Sequence, residues 1–536
     1  MRFEATGIAR LVRAAVVAAA GSLAVGAIAP STVGASTASG AVASTDPSAA
    51  VYQDTSLPLR DIVPVPDLGE ALSPEHPTPA PKPGGPDPVV QASQGVAAAP
   101  GLIANFLGVG RGFTGPQGKF TVNVAPPDPD GDVGPDHYVQ IVNSSIAVFS
   151  KAGVPLYGPV PTKTVFKGFI SPCGVTNDGD GIVKYDKAAD RWIITQFSIS
   201  TQLNFQCVAV STTPDPTGPY YRYAFRYNAS FNDYGKLAVW PDAYYITFNL
   251  FSIIPVSGGE ACAYDRAKML RGLKATQQCY IVNNPNSIYN LLPSDLDGST
   301  PPPAGAPNYV LHVDTGKLQL WRFHVDWVSP SKSKFSGPIS VPVAAFTPAC
   351  IGGSICIPQP GTTQKLDSLG DRLMFRLAYR NFGDHESLVV NHSVVAGTSV
   401  GVRWYELRQP GTTPVLYQQG TYAPDSSYRW MGSIAQDHAG NIALGYSISS
   451  KTIFPGIRYT GHLTTDPLGE MGQGEGTIID GAGSQNGGLY RWGDYTAMAV
   501  DPTDDCTFWY TNQYLMLTGS FNWSTRIASF KFASCT

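Results

Sequence analysis

The stretch RWGDYTAMAVDPTDDCTFWYTNQY, residues 491–514, decides the fold class. It opens on an Arg-Trp-Gly-Asp turn, continues into a short apolar run, turns again at Asp501 and Pro502, and ends in an aromatic run. Short runs rich in Thr, Val, Phe, Trp and Tyr between clusters of Asp, Pro and Gly are typical of strands joined by tight turns. The stretch therefore predicts an acidic turn followed by a β-hairpin.

The same phrase recurs, with variations, along the chain. GDVGPDHYVQIVN (131–143) and FNDYGKLAVWPDAYYITFN (231–249) are two examples, and related phrases begin at residues 179, 369 and 428. An irregular segment opens with PSDLDGSTPPPAGAP (293–307), whose composition predicts a loop. Together these segments make about seven units of three or four short strands. A β-helix would have shorter repeats, and tandem sandwiches would have linkers between them.

These units predict an all-β fold, specifically a β-propeller over residues 101–536. Four-stranded sheets arranged around an axis leave only short, protected edges, which suits units of this size. Seven blades is the expected number, and six is the alternative because one segment is irregular. Residues 103–124 are available to add a strand to the last blade and so close the ring.

Composition and charge narrow the class of protein. Charged residues make up 14% of the 536 residues, aromatic residues 11%, and Gly and Pro are abundant. This balance is typical of turn-rich extracellular β proteins and not of helical ones. The net charge of −4 offers no basic surface for nucleic acid or anionic lipid. We expect a monomer without a nucleic-acid partner.

The N-terminal part of the chain predicts export. Three arginines among the first thirteen residues precede a run of small apolar residues, so residues 1–35 are interpreted as a signal peptide. A membrane anchor is the alternative, but the run barely reaches the roughly 20 residues that a span needs. Residues 36–100 are rich in Ala, Ser and Pro, which predicts a disordered linker or a trimmed propeptide. The mature protein is expected to be secreted or envelope-associated, without membrane insertion.

Eight cysteines in an exported chain predict disulfides. Pairing between neighbours in sequence is the simplest choice. It gives Cys173–Cys207, Cys262–Cys279, Cys350–Cys356 and Cys506–Cys535. A zinc site is the alternative, but no pair has the CxxC spacing of such sites.

In a propeller the turns before the first strands of the blades meet around the axis at one mouth. Acidic residues are predicted at these turns: Asp128 or Asp132, Asp180, Asp233, Asp297, Asp371 and Asp494. Each carboxylate can simply bond to its own turn. Alternatively, Asp128, Asp180 and Asp233 are candidate ligands for Ca²⁺, because hard cations take several carboxylate oxygens.

Two carboxylates at a suitable separation hydrolyse glycosidic bonds, one as acid and one as base or nucleophile. Asp371 and Asp494 are the expected catalytic pair. Basic and aromatic residues near the turns are expected to hold a polysaccharide: Arg376, Arg429, Arg491, Trp430 and Trp492, with Arg380, Tyr138 and Tyr495 close by. The function predicted is therefore that of an exported carbohydrate-active propeller that binds or cleaves an extracellular polysaccharide at a funnel lined by Asp and Arg.

Two other functions are compatible with the sequence. His385 and Tyr379 could act as acid and base in a uronate lyase, with an arginine neutralising the substrate carboxylate. A non-catalytic surface or adhesion module is the second alternative, in which the Asp turns are structural. Motifs of serine hydrolases, zinc proteases, nucleotide-binding folds and sialidase Asp boxes are absent from the sequence.

Four long phrases resemble a group of secreted bacterial proteins with propeller-like folds. The phrases are PDGDVGPDHYVQIVNSS (129–145), PSDLDGSTPPPAGAPNY (293–309), LDSLGDRLMFRLAYRNFGDHESLVVNHSV (366–394) and RWGDYTAMAVDPTDDCTFWYTNQY (491–514). The resemblance extends over about residues 103–536. It implies export and a propeller fold, and it assigns no catalytic roles.

Overall fold

The computed structural model describes residues 41–44, 46–65, 71, 72, 76, 78–199, 203–228, 230–251, 258–283, 288–352 and 354–536. These residues form an all-β structure, which confirms the predicted fold class. The helical elements among them are α1 (Arg266–Met269) and 3-10 turns at Leu59–Asp61, Thr162–Phe166, Pro172–Gly174 and Pro330–Lys332. No helix in the described part of the chain is long and apolar enough to cross a membrane.

Short strands precede the main sheets. They are β1 (Ala41–Ser44), β2 (Ser48–Ala49), β3 (Tyr52–Thr55), β4 (Ala71–Leu72), β5 (Val90–Gln91), β6 (Leu102–Leu107), β7 (Thr114–Gly115), β8 (Gly118–Lys119) and β9 (Val124–Ala125). Most of them add to the edge of a sheet formed by later strands. β6 pairs antiparallel with the last strand of the chain, so the N-terminal and C-terminal parts share one sheet.

Antiparallel runs of strands then follow one another in chain order. The first three runs are β10 (Asp130–Val133), β11 (His137–Val142), β12 (Ser145–Ser150) and β13 (Pro155–Pro161); β14 (Ile182–Asp186), β15 (Arg191–Ser198), β16 (Asn204–Ser211) and β17 (Tyr220–Asn228); and β18 (Phe231–Val239), β19 (Tyr244–Phe251), β20 (Gly258–Tyr264) and β21 (Thr276–Asn283).

The fourth and fifth runs form one continuous sheet, because β22 pairs in parallel with β28. Their strands, with the small hairpin β26–β27 between them, are β22 (Leu292–Leu296), β23 (Asn308–Asp314), β24 (Lys317–His324), β25 (Lys334–Pro342), β26 (Ile355–Ile357), β27 (Leu366–Asp367), β28 (Met374–Asn381), β29 (Glu386–Ala396), β30 (Ser399–Arg408) and β31 (Val415–Tyr422). The last two runs are β32 (Tyr428–Gln436), β33 (Ile442–Ser449), β34 (Gly456–His462) and β35 (Gly476–Ile479), then β36 (Ala497–Val500), β37 (Phe508–Leu515) and β38 (Trp523–Phe530) with β6.

The first strands of the runs are largely buried and lie beside one another. β10 contacts β14, β14 contacts β18, and the contacts continue through β22, β28, β32 and β36, which in turn contacts β10. Two of these strands differ from the sequence-based expectation. Asp130–Val133 and Leu292–Leu296 are first strands, although their segments were predicted to contribute a turn and a loop. Charged residues interrupt their apolar pattern, and the structure compensates those charges by ion pairs.

The described residues from 46 to 100 form an N-terminal arm that lies on the sheets, whereas a disordered linker was predicted. β3 pairs with β17 and β5 pairs with β31, so sheet edges satisfy the backbone of a segment poor in apolar residues. Asp54 makes two bonds to Arg222, and the buried Asp87 carboxylate lies 2.5 Å from Arg403. Pairing and buried ion pairs therefore order this segment. The predicted signal peptide lies outside the described residues and stays a prediction.

All four predicted disulfides are confirmed. They are Cys173–Cys207, Cys262–Cys279, Cys350–Cys356 and Cys506–Cys535. Cys262 and Cys279 face each other on the adjacent strands β20 and β21. Every cysteine of the chain is thereby accounted for.

Candidate active site

A buried group of charged and aromatic residues, here named the mouth cluster, forms where five first strands begin. Its members are Asp128, Asp180, Asp233, Tyr234, Lys236, Asp371, Arg372, Arg491, Asp494 and Tyr495. The structure thus brings together five of the aspartates that the sequence placed at the turns. The residues come from different sheets, so the folded chain and not local sequence creates the cluster.

Asp128 links three sheets at this end of the molecule. One of its carboxylate oxygens accepts a hydrogen bond from the backbone N–H of Asp494 at 2.7 Å, and the other accepts one from Asn143 Nδ2 at 2.8 Å. Asn143 Oδ1 in turn accepts a bond from the backbone N–H of Asp180 at 3.0 Å. Burial, followed by the charges of Asp494 and Asp180, raises the pKa of Asp128 well above its ordinary value.

Backbone conformation gives a second reason for aspartate at two of these turns. Asp128 and Asp180 have φ of 45° and 48°, in the left-handed region that Asp tolerates better than most other residues. Aspartate at these two positions therefore fits the local backbone conformation and also supplies a carboxylate to the mouth cluster.

Asp180 is a member of the mouth cluster that can both hold and release a proton near neutral pH. Burial and the charges of Asp233 and Asp494 raise its pKa to about 7. The hydroxyl of Tyr495 lies 3.1 Å from Asp180 Oδ2 and 2.9 Å from the carbonyl oxygen of Gly235. The hydroxyl has one proton and cannot donate to both oxygens. If Asp180 is protonated, its carboxyl group can donate to the Tyr495 hydroxyl while that hydroxyl donates to the Gly235 carbonyl, so that both hydrogen bonds form.

Lys236 places an amine in the middle of the mouth cluster. Its Nζ lies 3.0 Å from the centre of the Tyr234 ring and 3.5 Å from that of Tyr495. Among the described residues it has no hydrogen-bond partner, although its side chain is buried. Burial lowers the pKa of Lys236 well below its ordinary value, against the opposing charge of Asp180. Faces of aromatic rings stabilise an ammonium only in part, so the amine is poised for a further partner.

The two predicted catalytic residues are each held by an arginine. Asp371 receives two bonds from its neighbour Arg372, at 2.7 and 2.8 Å, and both oxygens of Asp494 lie within 2.7 Å of a terminal nitrogen of Arg491. These pairs fix the carboxylates in place. The catalytic roles of Asp371 and Asp494 and the orienting role of Arg491 stay predictions, and in this structure Arg491 contacts Asp494.

Two residues of the N-terminal arm also contact the mouth cluster. His76 Nδ1 lies 3.0 Å from Asp233 Oδ2, and Thr78 Oγ1 donates a hydrogen bond to Asp371 Oδ2 at 2.5 Å. The hydrogen bond to Asp233 raises the pKa of His76. Sequence reasoning missed both residues because the segment had the composition of a linker.

Three residues predicted to bind substrate are buried elsewhere. Trp430 and Trp492 pack on each other with ring centres 5.6 Å apart, and Trp492 Nε1 donates to Ser447 Oγ. Arg429 is enclosed by Asp425 and Glu475, with bonds of 2.6 to 3.2 Å. Neither ring presents a free face and the guanidinium is already occupied. The two tryptophans therefore join the sixth run to the segment that leads into the seventh, whereas Arg429 is paired within the sixth run.

A second ion network lies further along the first strands. Lys184 Nζ lies 2.8 Å from both Asp132 and Asp295, and Arg376 bonds to Asp295 at 3.0 Å and to Asp297 through both terminal nitrogens. Asp297 follows β22, so it belongs to this network and not to the mouth cluster where it was predicted. Arg376 is likewise a partner of buried carboxylates in this structure.

The residues proposed for a lyase mechanism have separate partners. Tyr379 donates to Glu386 at 2.8 Å, whereas His385 Nδ1 lies 2.7 Å from the exposed Asp384. Arg380 makes two bonds to Asp505 at 2.7 Å. The ring of Tyr138 is buried against Trp509. None of these contacts joins the mouth cluster.

A cavity of about 750 Å³ opens at the other end of the first strands. Residues that follow β14, β18, β22 and β36 line it, among them Lys187, Trp240, Ser299 and Asp505. Its charged walls are internally paired, as Arg266 is with Asp186 at 2.6 and 2.9 Å. The volume suits a small ligand.

The predicted Ca²⁺ ligands do not form a coordination sphere. Oxygens of Asp128, Asp180 and Asp233 do not gather within 4.8 Å of one another as a group of ligands. Each carboxylate points to its own partner, and the Lys236 amine lies among them. A hard cation needs several converging oxygens. The residues present therefore do not fit this ion.

No protein-family model matches this chain, and no curated protein matches it. Solved structures with a similar arrangement include the subtype N10 neuraminidase-like protein of A/little yellow-shouldered bat/Guatemala, at 8% identity and a TM-score of 0.31, covering 60% of this chain and 91% of that chain. An exo-β-1,3-galactanase from Phanerochaete chrysosporium matches at 10% identity and a TM-score of 0.28, and the match covers 79% of this chain and 96% of that chain. A PL25 ulvan lyase, which is a polysaccharide lyase, matches at 10% identity and a TM-score of 0.25, and the match covers 77% of this chain and 80% of that chain. Similarity of this size assigns no family, so a function for this chain has to be argued from its own residues.

Proposed function

We propose that this protein is an exported, carbohydrate-acting β-propeller of seven blades, and that the mouth cluster is its active site. The ring of contacts among the first strands and the pairing of β6 with β38 support the propeller arrangement. Four disulfides suit an extracellular location. The substrate class proposed is a polysaccharide.

The proposal rests on one observation, which is the burial of the Asp180 carboxyl group, in contact with the Tyr495 hydroxyl, within a cluster of other carboxylates. Burial and the negative charges of Asp233 and Asp494 raise the pKa of Asp180 to about 7. Enzymes that cleave glycosidic bonds use such a difference between two carboxyl groups. The unpartnered Lys236 amine, which is buried in the same cluster, is a second indication that a ligand belongs there.

In this proposal Asp180 is the general acid and Asp233 the general base. Asp180 gives its proton to the glycosidic oxygen as the bond to the anomeric carbon breaks. Asp233 accepts a proton from the water whose oxygen forms the new bond to that carbon. Asp233 is preferred because its side chain is 18% exposed, more than those of Asp371 and Asp494. In this proposal Asp180 and Asp233 take the catalytic roles that the sequence predicted for Asp371 and Asp494, and Asp371 binds hydroxyl groups of the substrate.

A panel of soluble polysaccharides tests this proposal. Release of reducing ends reports hydrolysis, and unsaturated products report a lyase. We expect Asp180→Asn and Asp233→Asn each to lower the rate by about 100-fold or more, as loss of a general acid or base does. The matched control is Asp480→Asn, whose side chain is 73% exposed. Unchanged rates in both variants would contradict the catalytic proposal. So would turnover of no polysaccharide, at any pH, by a variant that lacks the contacts of His76 and Thr78 to Asp233 and Asp371.

Non-catalytic glycan binding is the second candidate. The arginine pairs of Asp371 and Asp494 favour it, because carboxylates satisfied within the protein suit a scaffold. The cavity near Trp240 would then be the binding site. Binding of a polysaccharide without any turnover, and loss of that binding in Lys187→Ala but not in Asp180→Asn, would decide for this function.

A further inference from the structure

We infer that His76 and Thr78 occupy two sugar subsites of the mouth cluster, so that the chain with its N-terminal arm in place is a latent form. This inference rests on the proposed function and adds the regulation of the site. The arm must leave the mouth cluster before a polysaccharide can bind there.

Thr78 occupies the first subsite as a sugar hydroxyl would. Its Oγ1 donates to Asp371 at 2.5 Å and accepts from Asn290 Nδ2 at 2.7 Å. A terminal nitrogen of Arg372 lies 3.5 Å away. A hydroxyl that donates to a carboxylate and accepts from an amide uses both of its capacities. The same geometry can receive one hydroxyl group of a sugar ring.

His76 occupies the second subsite, which is an aromatic platform beside a carboxylate. Its ring is stacked on Phe251 at 4.8 Å and meets the edge of Phe231 at 5.3 Å, while Nδ1 contacts Asp233. Phe251 is in turn stacked on Tyr289 at 5.7 Å. A flat face next to a carboxylate suits a sugar ring, whose one side is apolar and whose edge carries hydroxyl groups.

The arm is fixed on both sides of these two residues. Before them, β4 pairs in parallel with β9, directly ahead of the first sheet. After them, the backbone N–H of Gly84 donates to the carbonyl of Phe346 at 2.8 Å, and Asp87 is buried against Arg403. His76 and Thr78, which lie between these anchors in the sequence, are therefore held at the mouth cluster.

The mouth cluster retains a polar group that the arm does not satisfy. Lys236 Nζ is buried and has no hydrogen-bond partner among the described residues. An unsatisfied buried polar group costs free energy, and a bound ligand is one way in which a protein satisfies it. A polyhydroxylated ligand that entered in place of the arm could supply that bond.

The test compares the full chain with the double variant His76→Ala/Thr78→Val. Carboxyl groups are labelled with a carbodiimide and an amine, and mass spectrometry follows labelling at Asp233 and Asp371. Loss of a bond to a charged group corresponds to about a tenfold change in the exposed fraction, so we expect at least that increase. Lys82→Ala, in an exposed part of the same arm, is the matched control and should leave the labelling unchanged. Circular dichroism verifies that both variants are folded.

The same proteins are then assayed for retention by the polysaccharide panel in affinity electrophoresis. Faster labelling with about tenfold tighter retention of the double variant supports the inference. Unchanged labelling would show that the arm does not cover these carboxyl groups and would overturn it. Faster labelling with equal retention would overturn the sugar subsites. Faster labelling with no retention of either protein would refute the sugar assignment and the proposed function together, and leave the arm only as a cover.

Discussion

Asp180→Asn is the substitution that most sharply tests the electrostatics of the mouth cluster. The ordinary pKa of an aspartate is 3.8, and burial together with the charges of Asp233 and Asp494 raises that of Asp180 to about 7. A difference of this size corresponds to about 4 kcal/mol between the two protonation states. Asparagine keeps the shape of the side chain and cannot ionise.

The direction of the pH dependence follows from the raised pKa. Protonation of Asp180 stabilises the folded state fully below pH 3.8, and this contribution is lost as the pH rises through about 7. Between pH 5 and 8 the free energy of unfolding of the wild type should therefore fall relative to that of Asp180→Asn, by about 1–3 kcal/mol, the remainder being lost below pH 5. The lower figure allows for the other carboxyl groups of the cluster, which take up part of the charge.

Denaturant unfolding at several pH values, with the disulfides intact, measures this difference. Tryptophan fluorescence is a suitable signal because several tryptophans are fully buried. Asp480→Asn, at an exposed ion pair, is the control and should follow the wild type. Parallel curves for the wild type and Asp180→Asn across this pH range would refute the reasoning about the cluster.

Three further predictions concern parts of the molecule outside the acid–base pair. Burial raises the pKa of Glu260 to about 8, so the wild type should lose about 4 kcal/mol of unfolding free energy as the pH rises from 5 to 9. Glu260→Gln should not show this loss in denaturant unfolding, and a variant with the same pH profile as the wild type would argue against the burial of Glu260. Arg403→Met leaves the Asp87 carboxylate buried without its charged partner and should lower the free energy of unfolding by about 3–5 kcal/mol. The double variant Asp87→Asn/Arg403→Met should recover most of that stability. A loss below about 1 kcal/mol in Arg403→Met would mean that this ion pair does not hold the arm. Ca²⁺ or EDTA should leave the melting temperature unchanged, because Asp128, Asp180 and Asp233 do not converge, and a rise in the presence of Ca²⁺ would contradict this.

Much of the strand pattern could be predicted from the sequence because most strands have a clear apolar alternation. Ala497–Val500 and Phe508–Leu515 lie within the hairpin predicted from residues 491–514. The first strands Asp130–Val133 and Leu292–Leu296 were harder to identify. Their charges are compensated from another sheet, as Asp132 and Asp295 are by Lys184, and such long-range partners leave no local pattern.

The candidate site could be predicted only in part. Aspartates in the turns indicated a meeting point, and five of them do meet. Trp430 and Trp492 were expected at a surface, but sequence spacing does not distinguish a ring that packs in a core from one that faces a ligand. Lys236, which opens the apolar run KLAVW (236–240), was the signal that could have been used. His76 and Thr78 could not be predicted, because the contacts of the arm depend on the folded sheets.

A crystal structure of Asp180→Asn with an oligosaccharide, taken from whichever polysaccharide the wild type cleaves or retains, tests the central claim most directly. We predict a sugar ring on the Phe251 platform, a hydroxyl group bonded to Asp371 and Asn290, and displacement of His76 and Thr78. We also predict the glycosidic oxygen within hydrogen-bond distance, about 3 Å, of Asn at position 180. An oligosaccharide bound instead in the cavity near Trp240, with His76 and Thr78 still in place, would contradict it.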